Sequence, residues 1–258
     1  MTETIAVLGV GMQGGAIARL CVNAGYNVVI ANSRGPETLQ EMVADLGGQT
    51  RACTFDEAAE VGDLIVLSVP MSAYRSLPVA ALAGKVVIDT LNYYPERDGQ
   101  IAEIETPDIT TGELVQRELP KSQVVKTLSN VDFIHLLERA RPAGAVDRSA
   151  LPIASDDDDA KARAIQFLNA LGYDAVDVGT LADSWRFEAG TPIYVWPYVG
   201  EPPVGMVVEE ARSTWYHKNP GTPVPVAKVK ELLGSAERGL GIGMYGHLPY
   251  SADALSEV

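Results

Sequence analysis

The chain has 258 residues, of which 47% are apolar and 21% charged, proportions typical of a globular protein. Its 34 acidic side chains outnumber the 20 basic ones, and the net charge of −14 argues against binding to nucleic acid or to anionic membranes. Two cysteines cannot form a disulfide framework or a four-ligand zinc site. With no apolar run of about 20 residues and no signal peptide, we expect a cytoplasmic protein.

Short apolar runs alternate with amphipathic stretches along most of the chain. The predicted strands lie at 5–8, 27–31, 64–69, 85–89, 123–127, 151–154 and 174–178. The predicted helices lie between them at 16–24, 36–46, 131–138 and 160–171. Apolar runs without alternation indicate a parallel sheet that is covered on both faces. We therefore predict an α/β protein with a doubly wound, mostly parallel sheet of the Rossmann type.

The composition changes towards the carboxyl terminus. Seven of the 16 prolines lie between Pro192 and Pro225, a density that disfavours regular helix. One amphipathic helix is predicted at 226–238, and an irregular segment from 239 onwards. We predict a dinucleotide-binding domain at 1–180 and a small, irregular extension at 181–258 that serves the substrate site or oligomerisation.

The extension carries large aromatic residues, among them Trp196, Tyr198, Trp215 and Tyr216. Each would bury about 150–250 Å² of surface, so we expect them to pack on the main domain or on a second subunit. Our hypothesis is a homodimer in which the extension also borders the active site.

A glycine-rich turn follows the first predicted strand. Residues 9–14 read G-V-G-M-Q-G and open a predicted helix, the context in which a GxGxxG pattern indicates a dinucleotide site. Gly9 allows the tight turn, Gly11 lets a pyrophosphate approach the helix N-terminus, and Gly14 lets the helix pack closely on the sheet. Met12 and Gln13 belong to the same binding loop. The alternative is a plain glycine turn.

The end of the second predicted strand indicates which dinucleotide is bound. NAD sites usually place a carboxylate there for the ribose hydroxyl, whereas this strand ends with Asn32, Ser33 and Arg34. A serine hydroxyl and a guanidinium suit a 2′-phosphate, so the sequence favours NADP.

Several motifs along residues 5–191 together resemble the coenzyme F420-dependent NADP oxidoreductase family. They are the loop at 9–14, Asn32-Ser33-Arg34, Leu67-Ser68-Val69-Pro70, the segments 87–92 and 124–128, and the segments 177–179 and 182–188. The resemblance implies NADP as cofactor, and coenzyme F420 or a flavin as co-substrate. Members of minimal length end near the residue matching Thr191, so the remaining residues of this chain are an addition.

The resemblance also implies roles for individual residues. Ser33 and Arg34 would hold the 2′-phosphate, and Val69 and Pro70, with Ser68 beside them, would flank the nicotinamide-side ribose. The other implied cofactor contacts are Asn92 and Lys126, and the implied substrate contacts are Tyr93, Ser129, Asn130 and Trp185. Tyr93 and Tyr94, beside Asn92, could stack on a flat ring or could pack the loop, and the two interpretations are equally good.

Other polar residues receive structural interpretations. The run Asp156–Asp159 precedes a predicted helix, where aspartates cap free N–H groups, and no metal site is predicted. We expect Cys21 in the core, and His135 on a helix with a surface or packing role rather than a catalytic one. No catalytic acid is assigned, although Lys126, Tyr93 and His217 are candidate proton donors for a carbonyl or imine substrate.

Two functions of different classes fit these features. The first is an oxidoreductase that transfers a hydride between NADP(H) and a deazaflavin, a flavin-like ring or another small organic acceptor. The second is a non-catalytic module that senses NADP(H) and signals through its extension. A β-hydroxyacid dehydrogenase is a weaker alternative, because the short, proline-rich carboxyl-terminal part cannot form an all-helical second domain.

Overall fold

A computed structural model describes residues 3–106, 108–206 and 214–238. In this part of the chain, eight strands form one sheet in the order β3-β2-β1-β4-β5-β6-β7-β8. The strands are β1 (Thr4–Leu8), β2 (Asn27–Ala31), β3 (Thr50–Ala52), β4 (Leu64–Leu67), β5 (Val86–Asp89), β6 (Gln123–Lys126), β7 (Ala150–Ser155) and β8 (Asp174–Gly179). The first six are mutually parallel, β7 runs antiparallel to β6, and β8 is parallel to β7. The predicted fold class is confirmed.

Helices connect the strands and cover both faces of the sheet. The α-helices are α1 (Met12–Asn23), α2 (Gln40–Leu46), α3 (Phe55–Val61), α4 (Val79–Leu82), α5 (Pro95–Asp98), α6 (Thr111–Glu118), α7 (Phe133–Glu138), α8 (Asp158–Leu171), α9 (Trp196–Val199), α10 (Tyr216–Lys218) and α11 (Val226–Gly234). Turns of 3₁₀-helix lie at Pro36–Leu39, Met71–Ser76, Ala102–Ile104 and Leu181–Phe187. None of these helices is long and apolar enough to cross a membrane.

The central strands are apolar on both sides, as a doubly covered parallel sheet requires. In β1, Ile5 and Val7 join the core beneath α1, α7, α8 and α11, whereas Ala6 and Leu8 join the core beneath α3, α4 and α6. All four side chains are fully buried. The chain order reverses between β1 and β4, and the carboxyl ends of these two strands therefore flank a crevice.

Several short elements lie in segments for which the sequence patterns gave no prediction. These are β3, α3, α4, α5 and α6, which are shorter than the stretch of about 11–18 residues over which a helical repeat of apolar residues can be recognised. Two of them nevertheless begin with a capping box, formed by Thr54 with Glu57 and by Thr110 with Glu113. The predicted helix at 36–46 is a 3₁₀ turn followed by α2, and α11 ends at Gly234, four residues before the predicted end.

The extension packs on the main domain rather than standing apart from it. Helix α11 packs against β7 and β8, and the backbone of Val224 accepts a hydrogen bond from Ala150 N (2.8 Å). Tyr198 and Tyr216 are fully buried, whereas Trp196 is 43% exposed. Pairing with a second subunit and the domain boundary at 180/181 stay predictions, and the irregular segment predicted from 239 lies outside the described residues.

Candidate functional site

A cleft of about 680 Å³ lies at the carboxyl ends of β1, β2, β4, β5 and β6. Its wall includes twelve residues that the sequence assigned to cofactor or substrate: Gly9, Gly11, Met12, Gln13, Asn32, Ser33, Arg34, Ser68, Val69, Pro70, Asn92 and Ser129. This volume lies within the range of small-molecule sites, and ligands of open α/β sheets bind at this edge of the sheet. Contact of these residues with a cofactor stays a prediction.

The glycine-rich loop has the close packing that a dinucleotide fingerprint requires. Gly9 has a φ of +94°, and a Cβ there would lie 2.4 Å from the carbonyl oxygen of Ser68. A Cβ on Gly14 would lie 1.9 Å from the carbonyl oxygen of Gly9, so only glycine lets α1 pack this closely. Gly11 caps α1, and the first turn contains no acidic residue. The positive end of the helix dipole therefore faces the cleft without a competing carboxylate.

The end of β2 forms a polar corner of the cleft. Asn32 Oδ1 accepts a hydrogen bond from the backbone N–H of Arg34 (3.0 Å), and its Nδ2 donates to Thr38 Oγ1 (3.0 Å). These bonds fix the turn that carries Ser33 and Arg34, both of which are exposed. Within the described residues the guanidinium of Arg34 has no ion-pair partner, so its charge is available to a ligand.

The opposite end of the cleft contains two polar atoms without hydrogen-bond partners. Asn92 Nδ2 donates to the carbonyl oxygen of Ser129 (2.7 Å), which ties together the loops after β5 and β6. Asn92 Oδ1 and Ser129 Oγ are buried and have no partner among the described residues. Gln13 Nε2 holds the same region by donating to the carbonyls of Leu128 (2.9 Å) and Val131 (3.1 Å). A ligand with an amide group would satisfy both unpartnered atoms.

Two tyrosines close this end of the cleft. Tyr94 follows β5, Tyr194 comes from the extension, and their hydroxyl groups are joined by a hydrogen bond. Val195 also lines the cleft and has a φ of 56°, an uncommon conformation for a β-branched residue. Its backbone N–H donates to the carbonyl oxygen of Asn130 (2.9 Å), which anchors the extension to the loop after β6.

A buried acid and imidazole lie behind this end of the cleft. Asp132 lines the cleft and caps α7 by accepting hydrogen bonds from the backbone N–H groups of Ile134 (3.0 Å) and His135 (3.2 Å). Its other oxygen lies 2.7 Å from His135 Nδ1. His135 is fully buried and packs against the ring of Tyr216. Of the surface and packing roles that the sequence leaves open for this histidine, its burial fits packing.

Lys126 does not reach the cleft, which corrects its assignment as a cofactor contact. Its side chain is fully buried, with Nζ 3.1 Å from Asp89 Oδ2 and in contact with the carbonyl oxygen of Leu91. Burial raises the pKa of Asp89, and the neighbouring Lys126 opposes that rise. Asp89 Oδ1 also accepts the backbone N–H of Leu91 (2.8 Å), so the ion pair fixes the segment that leads to Asn92.

Three predicted substrate contacts also lie outside the cleft wall. Tyr93 is buried and its hydroxyl donates to the carbonyl oxygen of Gly99 (3.0 Å), so it packs the loop, as the alternative interpretation held. Asn130 is buried and donates to Tyr198 Oη (3.2 Å), where it supports the extension. Trp185 is half-buried, with the Arg186 guanidinium 4.4 Å from its ring centre.

The remaining polar residues have the structural roles that were expected. Asp157 accepts a hydrogen bond from Ala160 N (2.8 Å) and caps α8, and Asp156 accepts one from Leu181 N (2.9 Å). Cys21 is buried in the core. Among the residues that the structure describes, no group of acidic, histidine or cysteine side chains could hold a metal ion.

The sequence patterns did not identify several residues of the cleft wall. They are Phe55, Thr90, Leu91, Arg97, Val131, Asp132, Phe133, Tyr194 and Val195, with Val10, Ala73, Ser76 and Leu77. Tyr94 also lines the cleft, and for it the sequence leaves open stacking on a ring or packing of the loop. Those directly after a strand could have been found from their position at the carboxyl edge of a parallel sheet. Tyr194 and Val195 follow no strand, and no local pattern places them here.

Comparison with known proteins agrees with this geometry. Residues 4–93 match the family described as NADP oxidoreductase, coenzyme F420-dependent. A hypothetical protein from Sinorhizobium meliloti is 25% identical, with a TM-score of 0.66 over 76% of this chain and 94% of that chain. A candidate F420-dependent NADP reductase from Arthrobacter sp. FB24 is 26% identical, with a TM-score of 0.58 over 69% of this chain and 84% of that chain.

More distant similarities support the fold alone. Mycobacterium tuberculosis 3-hydroxyisobutyrate dehydrogenase is 16% identical, with a TM-score of 0.51 over 71% of this chain and 56% of that chain. No curated protein matches the sequence. The family match spans the glycine-rich loop and the end of β2, so residues 4–93 of the chain are similar to the NADP oxidoreductase family described as coenzyme F420-dependent.

Proposed function

We propose that the protein transfers a hydride between NADP(H), bound along the cleft, and a small organic acceptor. The observation that carries this proposal is the order of groups along the strand ends. The exposed Arg34 lies at one end, and the helix N-terminus at Gly11 lies in the middle. Asn92 Oδ1 and Ser129 Oγ lie at the other end, and neither they nor the Arg34 guanidinium has a hydrogen-bond or ion-pair partner in the part of the chain that the structure describes.

The residues present fit NADP. Arg34 and Ser33 would hold the 2′-phosphate, and the N–H groups at the start of α1 would bind the pyrophosphate. Asn92 Oδ1 would accept a hydrogen bond from the carboxamide nitrogen, and Ser129 Oγ would donate one to the carboxamide oxygen. These last two contacts use the atoms that lack partners in the described structure, and they would fix which face of the nicotinamide meets the acceptor.

When it is bound, NADPH supplies the hydride, and the protein supplies position and exclusion of water. The loops after β5 and β6 are held together by the bond from Asn92 to the Ser129 carbonyl, so the acceptor end of the cleft is preorganised. Val131, Phe133 and Val195 give this end an apolar lining. A dry, rigid site of this kind favours close approach of two rings or of a ring and a double bond.

The family comparison supports deazaflavin-type chemistry as one form of this proposal. The family description and the Arthrobacter protein's description both include coenzyme F420. A flavin-like ring is therefore the first acceptor to examine, and small carbonyl and imine compounds form the second class.

Two measurements test the proposal. Fluorescence titration should give tighter binding of NADPH than of NADH, and NADPH oxidation should proceed with a flavin, deazaflavin, carbonyl or imine acceptor. If NADPH binds but no acceptor of these four classes is reduced, the chain is a sensor of NADP(H) rather than an oxidoreductase. If NADPH does not bind, the assignment of the cleft is wrong.

A further inference from the structure

The acceptor end of the cleft contains groups that the proposed function does not use. They are the joined hydroxyls of Tyr94 and Tyr194, with Asp132 and Arg97 beside them in the wall. Tyr94 is 4% exposed and Tyr194 is 8% exposed, and both pack in one apolar cluster with Val195 and Tyr216. Two largely buried phenol hydroxyls thus lie in the wall of the cleft, and burial of this kind strengthens the hydrogen bond between them.

Most other groups at this end cannot give a proton to a ligand. Asp132 Oδ1 accepts two backbone hydrogen bonds and its Oδ2 lies 2.7 Å from His135 Nδ1, so both oxygens are already engaged within the protein. A guanidinium such as that of Arg97 does not deprotonate in proteins, and serine and threonine hydroxyls are far weaker acids than a phenol. No lysine or histidine lies among the described residues that line the cleft.

The proton donors suggested by the sequence are also absent from this wall. Lys126 is fully buried against Asp89, and Tyr93 is bonded to the loop at Gly99. His217 is exposed on α10 and does not line the cleft. Among the described residues of the wall, the two phenols therefore remain as the groups that combine an acidic proton with access to a ligand.

We propose that Tyr94 and Tyr194 act together as the proton donor, and that the acceptor is a small carbonyl or imine compound. This inference rests on the proposed function. A flavin or deazaflavin ring delocalises the electrons it receives and needs no phenol, whereas reduction of C=O or C=N requires one proton for each hydride.

The proton and electron balance of the step is complete. The hydride from NADPH forms a bond to the carbon of C=O or C=N, and the π electron pair moves to the oxygen or nitrogen. That atom takes a proton from one phenol, and the resulting phenolate is reprotonated by the second phenol, which recovers its proton from water. NADPH is oxidised to NADP⁺, and the acceptor is reduced to an alcohol or an amine.

The test uses the full chain and the variants Tyr94→Phe and Tyr194→Phe, which remove only the hydroxyl groups. Tyr26→Phe is the matched control, because Tyr26 packs against Phe167 and does not line the cleft. The probes are cyclohexanone, benzaldehyde and a cyclic imine, with flavin mononucleotide as an acceptor that needs no phenol. NADPH affinity is measured for every variant, since it reports correct folding of the cleft.

With the carbonyl or imine that the wild type reduces best, kcat should fall about 100-fold or more in each tyrosine variant, the usual contribution of a general acid. NADPH affinity should stay within about twofold. Binding of the same compound is measured by calorimetric titration into the enzyme saturated with NADP⁺, where no turnover occurs. At least one variant should bind the compound about two- to tenfold more weakly, because one hydrogen bond is lost. The control should match the wild type in all three measurements.

Three results would overturn the inference. One is turnover of the carbonyl or imine by both variants at rates close to the wild-type rate. Another is calorimetric binding that neither substitution changes. The third is a wild type that reduces flavin mononucleotide but none of the carbonyl or imine probes, which would leave the proposed oxidoreductase function intact. Failure of NADPH binding would instead contradict the proposed function itself.

Discussion

Replacing Arg34 by alanine should weaken the binding of NADPH and leave the binding of NADH almost unchanged. The guanidinium lines the cleft and has no ion-pair partner among the described residues, so its removal breaks no described ion pair within the protein. A hydrogen bond to a charged group contributes about 1.5–3 kcal/mol. Because Arg34 is exposed and its charge is screened by solvent, we expect the lower end of that range, which corresponds to about tenfold in Kd.

The assay is fluorescence titration of both cofactors with the wild type, with Arg34→Ala and with Arg117→Ala. Arg117 is an exposed arginine on α6 that does not line the cleft, so its removal also makes the net charge more negative by one unit, without touching the site. Raising the salt concentration should narrow the difference between wild type and Arg34→Ala. Equal affinity of the wild type for NADPH and NADH, or an equal loss in both arginine variants, would refute the reasoning.

Two further substitutions test the packing of the fold. Gly14→Ala should lower the free energy of unfolding by about 1–3 kcal/mol and weaken NADPH binding, because the new Cβ would lie 1.9 Å from the carbonyl oxygen of Gly9. Gly15→Ala is the control, since its Cβ would meet only a methionine methyl group at 3.7 Å. In thermal melts this control should be neutral or stabilising. Burial raises the pKa of Glu188, so its contribution to stability is full below about pH 4 and is lost as the pH rises through the raised value. Glu188→Gln keeps the oxygen that accepts hydrogen bonds from Thr111. In urea titrations this variant should therefore become more stable relative to the wild type as the pH rises from 4 to 8. A difference in unfolding free energy between the two proteins that stays constant over this pH range would contradict the prediction.

The sheet could be predicted from the sequence because its central strands are buried on both faces. Strand β2 begins and ends at the predicted residues, 27 and 31, and its four residues from Val28 to Ala31 are at most 1% exposed. A run that is apolar at every position leaves few alternatives to a central parallel strand. The short helices α4 and α5 could not be found this way, because four residues complete about one helical turn and show no repeat of apolar positions.

The half of the cleft nearest the glycine-rich loop could also be predicted. Residues that directly follow β1, β2 and β4 lie at one edge of the sheet wherever the helices pack, since parallel strands all end at the same side.

The prediction that Lys126 contacts the cofactor was wrong because it did not consider the neighbouring strand. Lys126 is the register partner of Asp89 on the adjacent strand, and opposite charges at paired strand ends indicate a buried ion pair rather than a ligand contact.

The part of the site that sequence patterns missed depends on tertiary structure. Tyr194 and Val195 reach the cleft because the carbonyl oxygen of Asn130 accepts a hydrogen bond from the backbone of Val195. The side-chain amide of Asn130 donates to the hydroxyl of Tyr198, which in turn donates to the carbonyl oxygen of Ala150 (2.8 Å). None of these contacts is local in sequence, so no periodicity or turn motif encodes them. The phenol pair is therefore visible only once the extension is placed on the domain.

The way the extension is attached also decides which experiments can separate its roles. Ile193, Tyr198 and Val224 are at most 1% exposed and belong to the same core as the sheet. A chain that ended at Thr191 would lose these side chains and leave the amide of Asn130 without the Tyr198 hydroxyl. Loss of activity in such a truncation would follow from exposure of the core alone. Single hydroxyl removals at Tyr94 and Tyr194 leave that core in place, and they can therefore assign a chemical role to the acceptor end of the cleft.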